Sequence, residues 1–306
     1  MRYTKLGRTG IDCSRLGFGT WQIGGGRWKG MGRAESVTLL RHALECGVNT
    51  FDAAVVYGQY HGEVNERRSR ALELLGEALD GRRRNEAIVC LKLGQLDEYS
   101  HRAIYEPRNM VMELQRSLRE LRMEYVDVCL VHAPTLHEVR EGRALAVIQT
   151  IREMGAARFV GYSFEAEPDH AKIALTQGID VLMLQYNLLD QDCAEVFSVA
   201  DEQGVGMLIG GPFKRGYLSG QFETLEDLPS EDNYWEWNLR YAPEKVMAIL
   251  KKAVELKRKA GGARDLRKMA LHHILRHVSA TSAIVGHRTK EEVVDNAKTI
   301  DEIFAT

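Results

Sequence analysis

The sequence predicts an α/β protein folded as a (β/α)8 TIM barrel, with an N-terminal β-hairpin and a long loop after strand 7. Two observations carry this. Short apolar or β-branched runs alternate with longer segments of helical period. The runs number eight: 16–21, 49–53, 86–92, 126–132, 158–163, 180–185, 205–209 and 282–286. Strand–helix alternation implies parallel strands joined by right-handed crossovers, and eight such strands close most naturally into a barrel.

The elements follow in order. Tyr3-Thr4-Lys5-Leu6-Gly7-Arg8-Thr9-Gly10-Ile11 gives two extended pieces about a Gly-containing turn, a hairpin that would close the barrel bottom. Gly24-Gly25-Gly26 after the first run reads as a mobile loop, because no phosphate-binding helix start follows it directly. Val111, Leu114, Leu118 and Leu121 recur at helical spacing, as do Val246, Ile249, Leu250, Ala253 and Leu256, so each segment buries one stripe. Gly47, Gly81, Gly155, Gly178 and Gly204 fall between a helical pattern and the next strand, where a left-handed C-cap costs Gly least. Residues 212–242 break the rhythm. Long loops in compact domains are functional or disordered, and Tyr234, Trp235 and Trp237 argue for order, which makes this segment the candidate substrate lid. No Pro-, Gly- or Ser-rich linker divides the chain, so residues 1–306 read as one barrel domain.

Composition narrows the partners. With 44% hydrophobic and 27% charged residues the chain has ample apolar material for a core. A formal net charge of -2 gives no field to draw nucleic acid or anionic lipid, so the expected partner is a small molecule and neither nucleic acid nor membrane. Five cysteines, Cys13, Cys46, Cys90, Cys129 and Cys193, are odd in number and lack metal-binding spacing, which suits free thiols in a reducing compartment. With no signal-like start and no apolar run of roughly 18 residues, a cytoplasmic location is expected. His273 and His277 are four apart beside His272 but lack an acidic third ligand, so no metal site is expected.

Asp52, Tyr57, Lys92 and His132 each lie at or just past the C-terminal end of a strand-like run. In a parallel barrel those ends share one mouth, so an acid, a phenol, an amine and an imidazole would meet around one small volume. Such a set suits reduction of a carbonyl by hydride from a cofactor, which leaves negative charge on oxygen and needs a proton donor. Tyr57 would give the proton. A phenol has an ordinary pKa of about 10, and a neighbouring cation such as Lys92 favours its ionised form. A buried lysine needs a carboxylate to keep it charged and placed, the role assigned to Asp52, while His132 would orient the carbonyl. Two other functions compete. A barrel lysine can form a Schiff base in a lyase, although pairing with Asp52 opposes a neutral amine. A cofactor-binding sensor or channel-associated barrel with vestigial chemistry is the third reading.

Phe51-Asp52-Ala53-Ala54-Val55-Val56-Tyr57-Gly58, Cys90-Leu91-Lys92-Leu93-Gly94 and Leu130-Val131-His132-Ala133-Pro134 resemble the FDTAxxYG, TK and LxH signatures of the aldo-keto reductases. The resemblance runs nearly end to end, through Lys5-Leu6-Gly7-Arg8-Thr9-Gly10, Leu16-Gly17-Phe18-Gly19-Thr20-Trp21, Ser117-Leu118 before Tyr125-Val126-Asp127, Val160-Gly161-Tyr162-Ser163, Gln185-Tyr186-Asn187, and Ile284-Val285-Gly286 followed by Asn296. Each match is weak alone, but their order and spacing together are specific. The resemblance implies an NAD(P)-dependent oxidoreductase acting on an aldehyde, a ketone or the alcohol, with Asp52, Tyr57, Lys92 and His132 as catalytic residues.

It also implies cofactor contacts. Ser163 and Gln185 match the positions that bond the nicotinamide carboxamide, and Gly211, Pro212, Phe213, Lys214 and Arg215 belong to the loop whose amides cradle the pyrophosphate. Phe164 departs from the family's Asn, and Gly210 stands where an aromatic often stacks on nicotinamide. Gly286, Arg288, Glu292 and Asn296 surround the start of the last helix, whose free N–H groups favour phosphate. Arg288 would grip a 2′-phosphate and select NADP(H), the preferred cofactor. Glu292 would instead bond ribose hydroxyls and favour NAD(H), the alternative. Trp21, Trp28, Tyr60, His61, Trp235 and Trp237 are the expected substrate contacts. With His101, Tyr105 and the acids of the long loop they suggest a polar, sugar-like carbonyl compound.

Overall fold

In a computed structural model of the chain, residues 1–59, 68–96 and 103–305 are described. Two short strands, β1 (Tyr3–Lys5) and β2 (Asp12–Ser14), pair antiparallel about a turn at Gly7–Thr9. Eight parallel strands then close in chain order: β3 (Leu16–Gly19), β4 (Thr50–Ala54), β5 (Ile88–Leu93), β6 (Val126–His132), β7 (Ala157–Ser163), β8 (Val181–Gln185), β9 (Gly206–Gly210) and β10 (Ala280–Gly286), with β10 pairing β3. Each end lies within two residues of the run read from the sequence. Trp21 is the exception in kind: β3 stops at Gly19, and Trp21 opens a helical turn.

The helices are α1 (Trp21–Gly24), α2 (Arg33–Glu45), α3 (Arg70–Ala78), α4 (Pro107–Leu121), α5 (Leu136–Glu141), α6 (Arg143–Glu153), α7 (Pro168–Leu175), α8 (Val196–Glu202), α9 (Asn233–Tyr241), α10 (Pro243–Ala260), α11 (Ala263–Leu275) and α12 (Lys290–Ile303). Local chemistry sets their limits. Pro107, Pro168 and Pro243 start helices where a missing N–H costs nothing, and Thr135 with Glu138 forms a capping box on α5. The five punctuating glycines all adopt positive φ, as expected.

Side-chain alternation along the strands builds the site. Ile88 and Cys90, Val128 and Leu130, Val181 and Met183, Leu208 and Ile284 form one interior cluster, with Leu6 of the hairpin turn inserted beneath them. A period of two then turns the last inward positions toward the C-terminal mouth: Lys92 on β5, His132 on β6, Gln185 on β8, Gly210 on β9 and Gly286 on β10. At the opposite end the hairpin lies so close to β9 that a Cβ on Gly7 would stand 2.2 Å from the Gly206 nitrogen.

The segment 212–242 differs from a plain loop. It forms tight turns at Lys214–Ser219 and Leu225–Asp227 and then α9, and it packs a second core in which Tyr217, Leu218, Leu228, Tyr234 and Trp235 meet Trp28 and the faces of α10 and α11. Trp235 is fully buried there, so it anchors the segment from beneath. Gly24-Gly25-Gly26 likewise departs from a mobile loop. Gly24 ends α1 and packs on the Tyr57 backbone, where a Cβ would lie 3.1 Å from the Tyr57 carbonyl oxygen.

The late histidines pack as aromatic rings. His273 stacks on Tyr186 at 5.1 Å and His277 on Phe197 at 4.1 Å. His287, after β10, is wholly buried with its ring 5.1 Å from Phe18. Burial pulls the His287 imidazole down to about 3, against a raising backbone hydrogen bond to Val285. The unfolded chain therefore takes up a proton near pH 6.5 that the folded chain refuses. Stability from this site is whole above that pH and is lost as pH falls toward about 3, with a limiting slope of about 1.4 kcal/mol per pH unit. Urea unfolding from neutral pH down to about pH 4 should show a shallower decline for His287→Leu than for the wild type. Equal slopes would remove His287 from the acid response.

Candidate active site

Lys92 is the centre of the site. It is 3% exposed, and its Nζ donates to Asp52 Oδ2 at 2.8 Å. The same ammonium lies 4.9 Å from the centroid of the Tyr57 ring, and Tyr57 shares side-chain hydrogen bonds with both Lys92 and Asp52. Below it, Met183 Sδ is 3.6 Å from Nζ. Burial disfavours the ammonium, but Asp52 and Tyr57 overcome this and hold Lys92 above its ordinary value of 10.5. Burial also leaves the Asp52 carboxyl above its ordinary value, a rise that Lys92 only partly offsets. The pair is a carboxylate–ammonium contact in dry surroundings, where a missing partner would be costly.

Tyr57 follows β4 in a turn and is held from three sides. Its ring stacks on Trp21 at 5.9 Å and meets His132 edge-on at 6.3 Å. Gly58 after it has φ +64, and a Cβ there would stand 2.1 Å from the Gly24 carbonyl oxygen, so only glycine admits this approach. From Trp21 an aromatic ladder continues to Trp28 (5.4 Å) and on to Tyr234 (5.0 Å).

One cavity of about 660 Å³ opens over this floor. Besides the four polar residues it is lined by Ser163, Gln185, the turn from Gly211 to Arg215, Gly286, Arg288, Glu292 and Asn296, and by Trp21, Trp28, Trp235 and Trp237. Every described residue expected as a catalytic, cofactor or tryptophan contact therefore borders one space. Tyr60, His61 and His101 lie outside the described residues. Tyr105 is placed behind the site, where its hydroxyl donates to the His132 carbonyl at 2.8 Å.

Two expectations change in detail. In the 211–218 turn the N–H groups of Lys214, Gly216 and Leu218 donate to carbonyls of Gly211 and Phe213, so only part of the turn faces outward as a cradle. Arg288 is not free to grip a phosphate: its Nη2 lies 2.8 Å from both oxygens of Asp232, a carboxylate 1% exposed, and its backbone N–H donates to Glu292 at 2.7 Å. Asp232 also accepts the Lys29 N–H at 2.7 Å, while Asn233 donates to the Gly26 carbonyl and Tyr234 N–H to that of Arg27. Residues 232–234 thus fasten the long segment to the loop after α1 and to the start of α12, over the cavity.

Sequence reading missed Asp232, Gln22, Arg27, Lys245 and Arg267, all of which border the cavity. Arg267 comes from α11 and donates to the Ser219 carbonyl at 3.1 Å. None belongs to a run or motif that would have marked it, although Asp232 lies in the acid-rich stretch.

The cavity suits a nicotinamide dinucleotide. Ser163 and the Gln185 amide stand at neighbouring strand ends, and Gly211 leaves open backbone beside Gln185, where a Cβ would lie 3.5 Å from the amide oxygen. At the far end Asn296 Oδ1 is buried with no hydrogen-bond partner among the described residues, an acceptor left for a ligand.

A closed barrel of eight parallel strands whose polar side chains gather at a single mouth is the architecture of the (β/α)8 class. The chain belongs to the Aldo/keto reductase family, whose model matches residues 15–304. Aldo-keto reductase YhdN of Bacillus subtilis is 29% identical over 76% of this chain and 68% of its own length. The NADH-specific methylglyoxal reductase of Escherichia coli is 26% identical over 98% of this chain and 94% of its own. In fold, the chain resembles the holo form of aldo-keto reductase AKR11C1 from Bacillus halodurans, with a TM-score of 0.76 at 24% identity, covering 98% of this chain and 91% of that one.

Proposed function

We propose that this protein interconverts a small polar carbonyl compound and its alcohol, with Tyr57 as general acid and base and NAD(H) as the cofactor. The observation that carries the reading is the Lys92 ammonium, locked to Asp52 at 2.8 Å and set against the Tyr57 ring. When bound, the nicotinamide supplies or accepts a hydride at the carbonyl carbon. The chain's own residues do the rest. His132 and Tyr57 hold the carbonyl oxygen between them, and Tyr57 gives its hydroxyl proton as charge grows there. Lys92 stabilises the phenolate left behind, and Asp52 keeps Lys92 from turning toward solvent. The ladder of Trp21, Trp28 and Tyr234 excludes water from one side. A Schiff-base role for Lys92 is disfavoured, since its environment holds the amine protonated.

The choice of NAD(H) rests on charge. A 2′-phosphate near the start of α12 would meet Glu291, Glu292 and Asp295, with Arg288 already held by Asp232. A ribose hydroxyl would meet acceptors instead. The test is an assay of nicotinamide absorbance over 2-oxoaldehydes, ketones and sugars, with methylglyoxal first because the similar Escherichia coli enzyme is named for it. NADH should exceed NADPH in kcat/KM by about tenfold or more, equivalent to ~1.4 kcal/mol. The Asp232→Asn, Glu292→Gln double variant should narrow that ratio by about tenfold. NADPH preference in the wild type would overturn the cofactor assignment, and no turnover across the panel would overturn the enzyme reading.

A further inference from the structure

The helix behind the site carries side chains that reach backbone N–H groups adjoining the catalytic positions. Glu120 on α4 accepts the Ser69 N–H at 3.1 Å. Ser69 is buried, and its Oγ lies 2.9 Å from the carbonyl oxygen of Tyr57 and 3.1 Å from that of Ala54, so one hydroxyl proton serves both. Tyr57 O also accepts the Ala71 N–H at 3.3 Å. With Gly24 pressed against Gly58 on the other side, the turn that presents the phenol is gripped through its main chain.

The same segment acts on the neighbouring positions. Glu113, two turns earlier on the same helix face, accepts the Gly94 N–H at 2.9 Å, just past Lys92. Tyr105, just before α4, holds the His132 carbonyl. Glu120 is the member of this brace open to titration near neutrality. Burial lifts its carboxyl to about 7, opposed first by the Ser69 N–H. The charged groups that face it are Arg116 on its own helix, with Nε 3.8 Å from Oε1, Glu73 on α3, and Arg68 before α3. Above that pH Glu120 is a carboxylate, the stronger acceptor for Ser69 N–H, and below it the carboxylic acid grips less well.

We propose that Glu120 is a positioning residue for Tyr57: acting through Ser69, it fixes the carbonyl of Tyr57 and so the placement of the phenol against Lys92. The proposal rests on Tyr57 being the acid. Glu120→Ala, Glu120→Gln and Ser69→Ala are to be compared with the wild type and Tyr57→Phe, measuring kcat, KM and NADH affinity between about pH 5.5 and pH 8.5. Glu120→Ala and Ser69→Ala should each lower kcat about tenfold, with NADH Kd changed by less than about twofold. Glu120→Gln keeps an acceptor for Ser69 and should recover kcat to within about threefold at alkaline pH. It should also lose the rise in kcat near pH 7 expected of the wild type. A folded Glu120→Ala protein with wild-type kcat would overturn the proposal, as would a Glu120→Gln protein that keeps the rise. If Glu120→Ala fails to fold, the Glu120→Gln profile decides. Turnover surviving in Tyr57→Phe would strike the acid assignment itself, a result distinct from either of these.

Discussion

Tyr57→Phe is expected to lower kcat for carbonyl reduction by roughly 10³-fold, inside the ~10²–10⁴ range typical of general acid catalysis. The substitution removes one oxygen and leaves the ring. Stacking on Trp21, the edge contact to His132 and the face presented to Lys92 all persist, so the turn at Gly58 and the cavity wall keep their shape. NADH affinity should therefore stay within about twofold, since the loss concerns proton transfer and not the nucleotide. Steady-state kinetics and a fluorescence titration of NADH separate the two quantities. Turnover near the wild-type rate would show that another group gives the proton.

Lys92→Met should be damaging in a different currency. Asp52, 4% exposed, loses the ammonium at 2.8 Å, and a stranded buried carboxylate costs about 3–5 kcal/mol. Thermal or urea unfolding reads this directly. Removing the charge on both sides, as in Asp52→Leu with Lys92→Met, should return most of that stability, because a buried ion pair replaced by apolar groups is often near neutral. Activity should not return with it: both variants should fall by about 10²-fold or more, as expected when a preorganised charge is lost from the site. A double variant as unstable as Lys92→Met would mean that the pair contributes far more than charge balance. In the wild type, a Lys92 raised above 10.5 adds stability that is fully present below that pH and is lost only as pH climbs through the higher folded value.

Much of this was legible in the chain because the barrel repeats one rule. Apolar runs mark strands, the period of two selects inward positions, and the last inward position faces the mouth, so Lys92 and His132 could be placed from their runs alone. Trp21 shows the limit at strand ends, where the chain turns into α1 as β3 stops at Gly19. The residues 212–242 read as a loop because α9 is short, carries Glu236 among its aromatics and follows an acid-rich stretch; its order comes from packing on α10 and α11. Pairings across the fold were the hardest to see. Asp232 and Arg288 are 56 positions apart, and Glu120 and Ser69 are 51 apart. No local pattern links such partners, so Arg288 read as an available cation when its charge was already engaged.

Leu6 gives the hairpin a duty beyond tidying an edge. It sits beneath the interior stack that leads through Met183 to Lys92, like a cork in the narrow end of a funnel. Shortening the chain by its first dozen residues would let water climb the axis from below. The ammonium at the top would then feel a wetter, more screening medium, and its hold on the phenol would slacken without any change at the mouth itself.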